Sequence, residues 1–189
     1  VELMKNRDKY YSHVCFKNRV KISYELLMSP NIQEDLVRHV LKKATDGKKV
    51  LVEFIKKESA SNFFECLKEK EYMSGEDSII ERSRILHRIK ESTRGIILVA
   101  TQVVEAGVDI DMDIGYKNIS KLDSEEQFMG RINRSCQREG EVYFFKLDEG
   151  SGIYRDGDIR IEKRFTLEND EMKNILLEKE FSLYYEKIL

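Results

Sequence analysis

The sequence predicts an α/β fold, a mostly parallel sheet with helices on both faces. Three observations predict it. Three short apolar runs, at 50–55, 95–100 and 142–147, have the length of strands. The second is apolar throughout, as a strand buried on both faces of a parallel sheet must be. Between the first two lie two amphipathic helical segments, one with Ala60, Phe63, Phe64 and Leu67, the other with Ile79, Arg82, Ile85, Leu86 and Ile89. Strands that alternate with helices of this length build βαβ units.

The remaining elements fit around this centre. Residues 20–24 alternate in polarity and read as a strand. Ser29, Pro30 and Asn31 are helix-start residues. Ile32, Leu36, Val37, Val40, Leu41 and Ala44 then recur at helical spacing, and Gly47 is placed to end that helix in a left-handed conformation. A turn-rich patch at 148–152 separates this body from a C-terminal helix carrying Met172, Ile175, Leu176, Phe181, Tyr184 and Ile188. The expected organisation is one domain over 1–150, then a linker and C-terminal helical extension over 151–189.

Composition narrows the function. Of 189 residues 41% are apolar, enough for a core. Lys and Arg total 33 against 35 Asp and Glu, a net charge of −2, which excludes a uniformly basic coat and leaves room for a local basic face. No apolar run approaches the roughly 18 residues of a membrane span. Cys15, Cys66 and Cys136 are scattered, so neither a disulfide framework nor a cysteine zinc site is expected, and a reducing cytoplasm is the default. His13, His39 and His87 lack metal-ligand spacing, and no metal site is expected.

Two segments carry chemistry. The first, residues 101–111, directly follows the buried strand, where a parallel sheet binds ligands at its carboxyl edge. Thr101 there offers a hydroxyl and backbone N–H groups suited to a phosphate. Gly107 permits close backbone approach, and Asp109 can accept hydrogen bonds from a sugar hydroxyl or an Arg. The second segment spans 127–134. Read as a helix capped by Asp123 or Ser124, it places Gln127, Arg131 and Arg134 on one stripe, with Phe128 and Ile132 on a neighbouring buried stripe. Two parallel guanidinium groups are useful together only against a polyanion such as a triphosphate, where they stabilise a transferring γ-phosphoryl.

These segments resemble motifs V and VI of superfamily 2 helicases. Thr101 to Glu105, the run Asp109-Ile110-Asp111 and the ending Gly130-Arg131-Ile132-Asn133-Arg134 resemble the CRISPR-associated helicase of type I interference systems, over roughly residues 20–150. Lys49 to Val52 followed by Ala60 is similar to the motif IV strand and helix. The resemblance implies a RecA-like three-layer sandwich, the second motor domain of an ATP-dependent single-stranded DNA helicase. It implies that Gly107 and Asp109 line the nucleotide cleft, that Gln127, Arg131 and Arg134 face the ATP phosphates, and that Thr101, Gln102 and Ser74 touch nucleic acid. Glu105 would be a coupling or structural residue rather than an acid-base catalyst. The implied partners are a first RecA-like domain, an HD nuclease domain or subunit, single-stranded DNA and a guide-RNA surveillance complex. Two positions depart from the family pattern: Ile55 and Lys56 replace its usual Asn-Thr pair, and Phe128 stands where it commonly has an Arg, removing one cation beside the nucleotide.

No G-x-x-x-x-G-K-[ST] loop occurs in the chain. The phosphate loop and the Mg2+ ligands are therefore expected on the first RecA-like domain, and the isolated chain is expected to be inactive. Asp148 and Glu149 imitate an Asp-Glu box but follow the arginine motif, and they read as a turn. Two other functions remain open. One is a branch-migrating or repair translocase, which shares the Thr-x-Val-x-Glu-x-Gly-Val-Asp wording but usually carries a Pro soon after the Asp. The other is a non-catalytic docking module.

Overall fold

The computed structural model describes residues 19–67, 70–102, 108–150, 153–155 and 157–189. Among these residues six strands form one sheet: β1 (Val20–Ser23), β2 (Lys49–Glu53), β3 (Lys70–Met73), β4 (Ile96–Ala100), β5 (Ile114–Asn118) and β6 (Gly140–Phe145). Their order is β1-β6-β5-β2-β4-β3, and every pairing is parallel. Among the described residues six α-helices accompany them: α1 (Ile32–Thr45), α2 (Lys57–Glu65), α3 (Ile79–Glu91), α4 (Leu122–Met129), α5 (Asp170–Glu178) and α6 (Phe181–Ile188).

Strand alternation divides the core between the two faces of the sheet. Val50, Val52, Ile97, Val99, Ile114 and Tyr116 point to one face, where they meet Leu36 and Val40 of α1 and Ala60 and Phe63 of α2. Leu51, Leu98, Ala100 and Phe144 point to the other, against Ile85 and Ile89 of α3, Leu122 and Phe128 of α4, and Ile175 and Tyr184 of α5 and α6. The result is the expected α/β sandwich. Gly47 ends the α1 turn at φ +81°, as its position predicts.

Three elements differ from the sequence reading. Strand β3 lies unannounced between the two amphipathic helices, because Lys70 and Glu71 interrupt its apolar pattern. Glu71 is nonetheless buried, with Arg88 of α3 at 2.6 Å. Strand β5 carries Gly115, Lys117 and Asn118 and has no apolar run, yet all five of its residues are buried. The single C-terminal helix is two helices, broken where Lys179 takes a left-handed conformation at φ 62°. Both pack on the main sheet through Met172, Ile175, Leu176 and Tyr184.

A buried ionic group explains β5. The Lys117 ammonium donates to the Glu53 carboxylate of β2 and lies 3.7 Å from Glu125 of α4; all three side chains are at most 1% exposed. Glu125 also accepts the Ser120 N–H at 2.5 Å, bracing the start of α4. Gly115 is required on the same strand, since a Cβ there would lie 2.7 Å from the Phe128 ring. Removing the cation leaves two carboxylates without it in the interior, so Lys117→Ala should cost about 3–5 kcal/mol in urea unfolding. The triple replacement Lys117→Met, Glu53→Gln, Glu125→Gln should recover most of that loss.

Candidate nucleotide and nucleic-acid edges

The carboxyl ends of β2, β3 and β4 open onto a cleft of about 330 Å³ lined by Ile55, Lys57, Ser74, Gly75, Glu76, Thr101, Gln102 and Ile153. Thr101 and Gln102 sit there because β4 ends at Ala100. Ser74 sits there because β3 ends at Met73. The three residues expected to touch nucleic acid thus share one cleft. The Ser74 hydroxyl accepts the Glu76 N–H at 3.3 Å, and its own N–H donates to Asp77 at 2.6 Å, so Ser74 shapes the loop that walls the cleft. Gln102 donates to the Tyr154 hydroxyl, which ties the segment after β6 to the end of β4.

Asp148 closes the same edge. It is buried, and its carboxylate accepts the Lys56 N–H at 2.9 Å and the Ser59 hydroxyl at 2.5 Å. It therefore caps α2 from across the sheet, in the manner of a side-chain N-cap. Asn118 holds it in place by accepting the N–H groups of Leu147 and Asp148 at 2.9 and 2.7 Å. This is the structural turn that the sequence suggests. At the motif IV departure, Lys56 contributes its backbone N–H to Asp148.

Residues 108–113 run to the opposite edge. Asp113 accepts the Lys49 N–H at 2.7 Å, at the start of β2, and β5 begins one residue later. The placement of Asp109 at the carboxyl edge is thus corrected: it lies toward the amino edge. Val108, Ile110 and Met112 point inward in alternation, which turns Asp109 and Asp111 outward, while Asp113 is buried where β5 begins. Asp109, 75% exposed, pairs with Arg134 at 2.6 Å and with Lys90 at 3.5 Å. Asp111 accepts the Arg134 N–H at 2.7 Å and lies 3.3 Å from Arg138, which also pairs with Asp113. Val103 to Gly107, including the predicted Gly107 and Glu105, fall outside the described residues.

The helical stripe is corrected as well. Helix α4 begins after Lys121, whose side chain makes no cap, so neither Asp123 nor Ser124 is the N-cap. It ends at Met129, with Gly130 as the C-cap. Arg131 and Arg134 lie beyond it, in a turn that pairs with the 108–113 segment. There the Met112 N–H donates to the Arg131 carbonyl at 3.0 Å, and the Asn133 N–H donates to the Met112 carbonyl at 2.7 Å. This strand-like pairing outcompetes a further helical turn. Gln127 remains on α4, exposed in its last turn. The two arginines still share one neighbourhood. The Arg131 guanidinium is held below its usual pKa by partial burial and by the charge of Arg134, against the opposing pull of Asp109. Phe128 is fully buried against β5, so this position faces the core rather than a nucleotide.

Sequence reasoning missed Lys90 and Arg138, the cations that engage the outward acids. Neither has a linear signal, because each meets its partner only through the fold. Asn133 also carries more than its place in the motif suggests. It sits at φ 46°, donates to the carbonyls of Arg19 (2.9 Å) and Arg138 (2.5 Å), and accepts the Arg138 N–H at 3.1 Å. Asn tolerates the left-handed region better than other side chains. Asn133→Ala should destabilise the chain by about 2–4 kcal/mol, and Asn133→Gly by less, because Gly relieves the backbone but not the lost bonds. Thermal and urea unfolding of the two variants measure the difference.

Comparison with known proteins gives a consistent picture. The family description "CRISPR-associated nuclease/helicase Cas3, C-terminal" matches residues 38–137. A CRISPR-associated nuclease/helicase Cas3 from Methanothermobacter thermautotrophicus is 35% identical over 77 residues, covering 35% of this chain and 9% of that protein. Among solved structures, T. fusca Cas3 with ATP superposes with a TM-score of 0.54 at 17% identity, covering 69% of this chain and 18% of that one. The C-terminal domain of the DEAD-box protein Dbp5 superposes with a TM-score of 0.58 at 16% identity, covering 71% of this chain and 80% of that one. The chain therefore spans a small part of the Cas3 proteins it resembles, and the structural likenesses establish a RecA-like helicase fold.

Proposed function

The chain belongs to the Cas3 C-terminal family, and from that premise we propose that it is the second motor domain of an ATP-driven helicase acting on single-stranded DNA in CRISPR interference. One observation carries the reading. The parallel sheet gathers Thr101, Gln102 and Ser74 in a cleft at its carboxyl edge, and it brings Arg131, Arg134 and Asp109 together toward its amino edge. A translocase must grip DNA and respond to nucleotide at separate places on one rigid body.

In this role Arg131 and Arg134 stabilise charge developing on the γ-phosphoryl group. Gln127, exposed at the end of α4, adds an amide toward the phosphates. Asp109 accepts a ribose hydroxyl, and Gly107 of the same motif is assigned to the nucleotide side by the family resemblance alone. Thr101 and Gln102 contact the DNA backbone through a hydroxyl and an amide. Such contacts position the strand without reading its sequence, which base pairing to a guide supplies elsewhere. Among the described residues no group of His, Cys, Asp or Glu fits Mg2+, and Asp111 and Asp113 are committed to Arg138 and to backbone N–H groups. Mg2+ and the phosphate loop then belong to the first RecA-like domain. The HD nuclease and the surveillance complex are the further partners of the whole protein.

In the intact helicase, Arg131→Ala and Arg134→Ala should each lower kcat for DNA-stimulated ATP hydrolysis by about 10³-fold or more. The 189-residue chain by itself should hydrolyse ATP negligibly. Unchanged ATPase in both arginine variants would make the domain a docking module. Stimulation by duplex but not by single strands would make it a translocase of the repair type.

A further inference from the structure

Resting on the DNA reading of the carboxyl-edge cleft, we propose that Lys57 is its phosphate anchor and that Glu76 is an internal placeholder for the phosphate, displaced when a strand enters. Lys57 opens α2 on one wall of the cleft, and Glu76 follows Ser74 and Gly75 on the facing wall. The Lys57 ammonium donates to the Glu76 carboxylate across the gap. Thr101 and Gln102 line the same space, so a backbone that reaches them passes this pair.

Three features argue that the pair is there to be exchanged. First, it is exposed, Lys57 by 54% and Glu76 by 77%, and an exposed ion pair is weak enough for another anion to replace. Second, a cation in the first turn of a helix opposes the helix dipole, so local stability does not favour Lys57 where it stands. Third, the neighbouring acids are committed elsewhere: Asp77 accepts the Ser74 N–H, and Asp148 caps α2. Among the described residues Glu76 is the carboxylate paired with Lys57, and Asp77 adds only a weaker electrostatic pull. A phosphodiester carries the same single charge, so it can replace the carboxylate beside the ammonium while Glu76 turns toward solvent. Glu76 meanwhile keeps Lys57 firmly protonated, chiefly through their hydrogen bond.

The test is fluorescence anisotropy of a labelled oligothymidylate with the intact helicase, at several salt concentrations. Glu76→Gln should tighten binding about two- to fivefold at low salt, the scale of one exposed ion pair. Lys57→Gln should weaken binding and reduce the slope of log K against log salt by about 0.7, one phosphate contact on a single strand. The double variant should behave as Lys57→Gln alone. Glu178→Gln, an equal charge change outside the cleft, should do nothing. The placeholder idea is overturned if Glu76→Gln matches Glu178→Gln, or if it still tightens binding when Lys57 is gone. Thr101→Ala separates the two levels. If it weakens binding while the Lys57 and Glu76 variants do not, only the anchor is wrong. If none of the three sites affects binding, the cleft is not where DNA lies. Both cleft side chains are exposed, so unchanged thermal midpoints should accompany each variant.

Discussion

The architecture depends on one ammonium group placed where charge is hardest to hold. Lys117 is on a central strand, sealed from solvent, with Glu53 on the next strand and Glu125 on the overlying helix. An ion taken out of water loses several kcal/mol of hydration, and only close, hydrogen-bonded partners offset that loss. The group therefore fixes how α4 lies on β5. The position of α4 in turn decides where Gly130 leaves the helix and where Arg131 to Asn133 meet Met112. The arginine turn is held in register by a charge cluster that never touches it.

Much of this was legible in the sequence, and the illegible parts share a cause. The apolar runs of β2, β4 and β6 and the amphipathic α1 and α3 declared themselves because each buries apolar side chains in a regular period. Strands β3 and β5 did not, because Glu71, Lys117 and Asn118 are polar groups buried by specific partners. A charge that is buried because another element supplies its counter-charge looks in the sequence like an exposed one. The same holds for the arginine motif. Its residues were found from their order, yet the helical stripe was wrong. Periodicity cannot show that Ile132 and Asn133 will pair with a segment twenty residues earlier. Gly130 and Asn133 were the available signal, since both favour the end of a helix.

The alternation of Val108, Ile110 and Met112 with Asp109, Asp111 and Asp113 has a consequence for electrostatics. Three acids on one face of a short extended segment repel one another unless cations intervene. Lys90 supplies one from the end of α3, and Arg134 and Arg138 supply the others from the turn after α4. The innermost acid, Asp113, is buried and tied to the start of β2, whereas the outermost, Asp109, is largely exposed. The gradient from buried to open runs along the segment. Its inner end serves the fold, and its outer end is free to serve a ligand.

That gradient bears on how a half-site waits for its other half. Two guanidinium groups near each other are unfavourable, and Arg131 is held below its usual pKa first by burial and then by the charge of Arg134. Asp109 offsets it by pairing with Arg134, but it does so near the surface, where water screens the attraction and the cost of separation is small. In the proposed motor a triphosphate brings far more negative charge to the arginines than one carboxylate does. It takes over their neutralisation and releases Asp109 toward the sugar. The carboxyl-edge pair of Lys57 and Glu76 has the same logic: a weak internal anion stands in for the ligand's phosphate. Both edges of the sheet thus keep Arg134 and Lys57 partnered by exposed, exchangeable carboxylates, which is how the proposed motor half would hold its cations before a polyanion arrives.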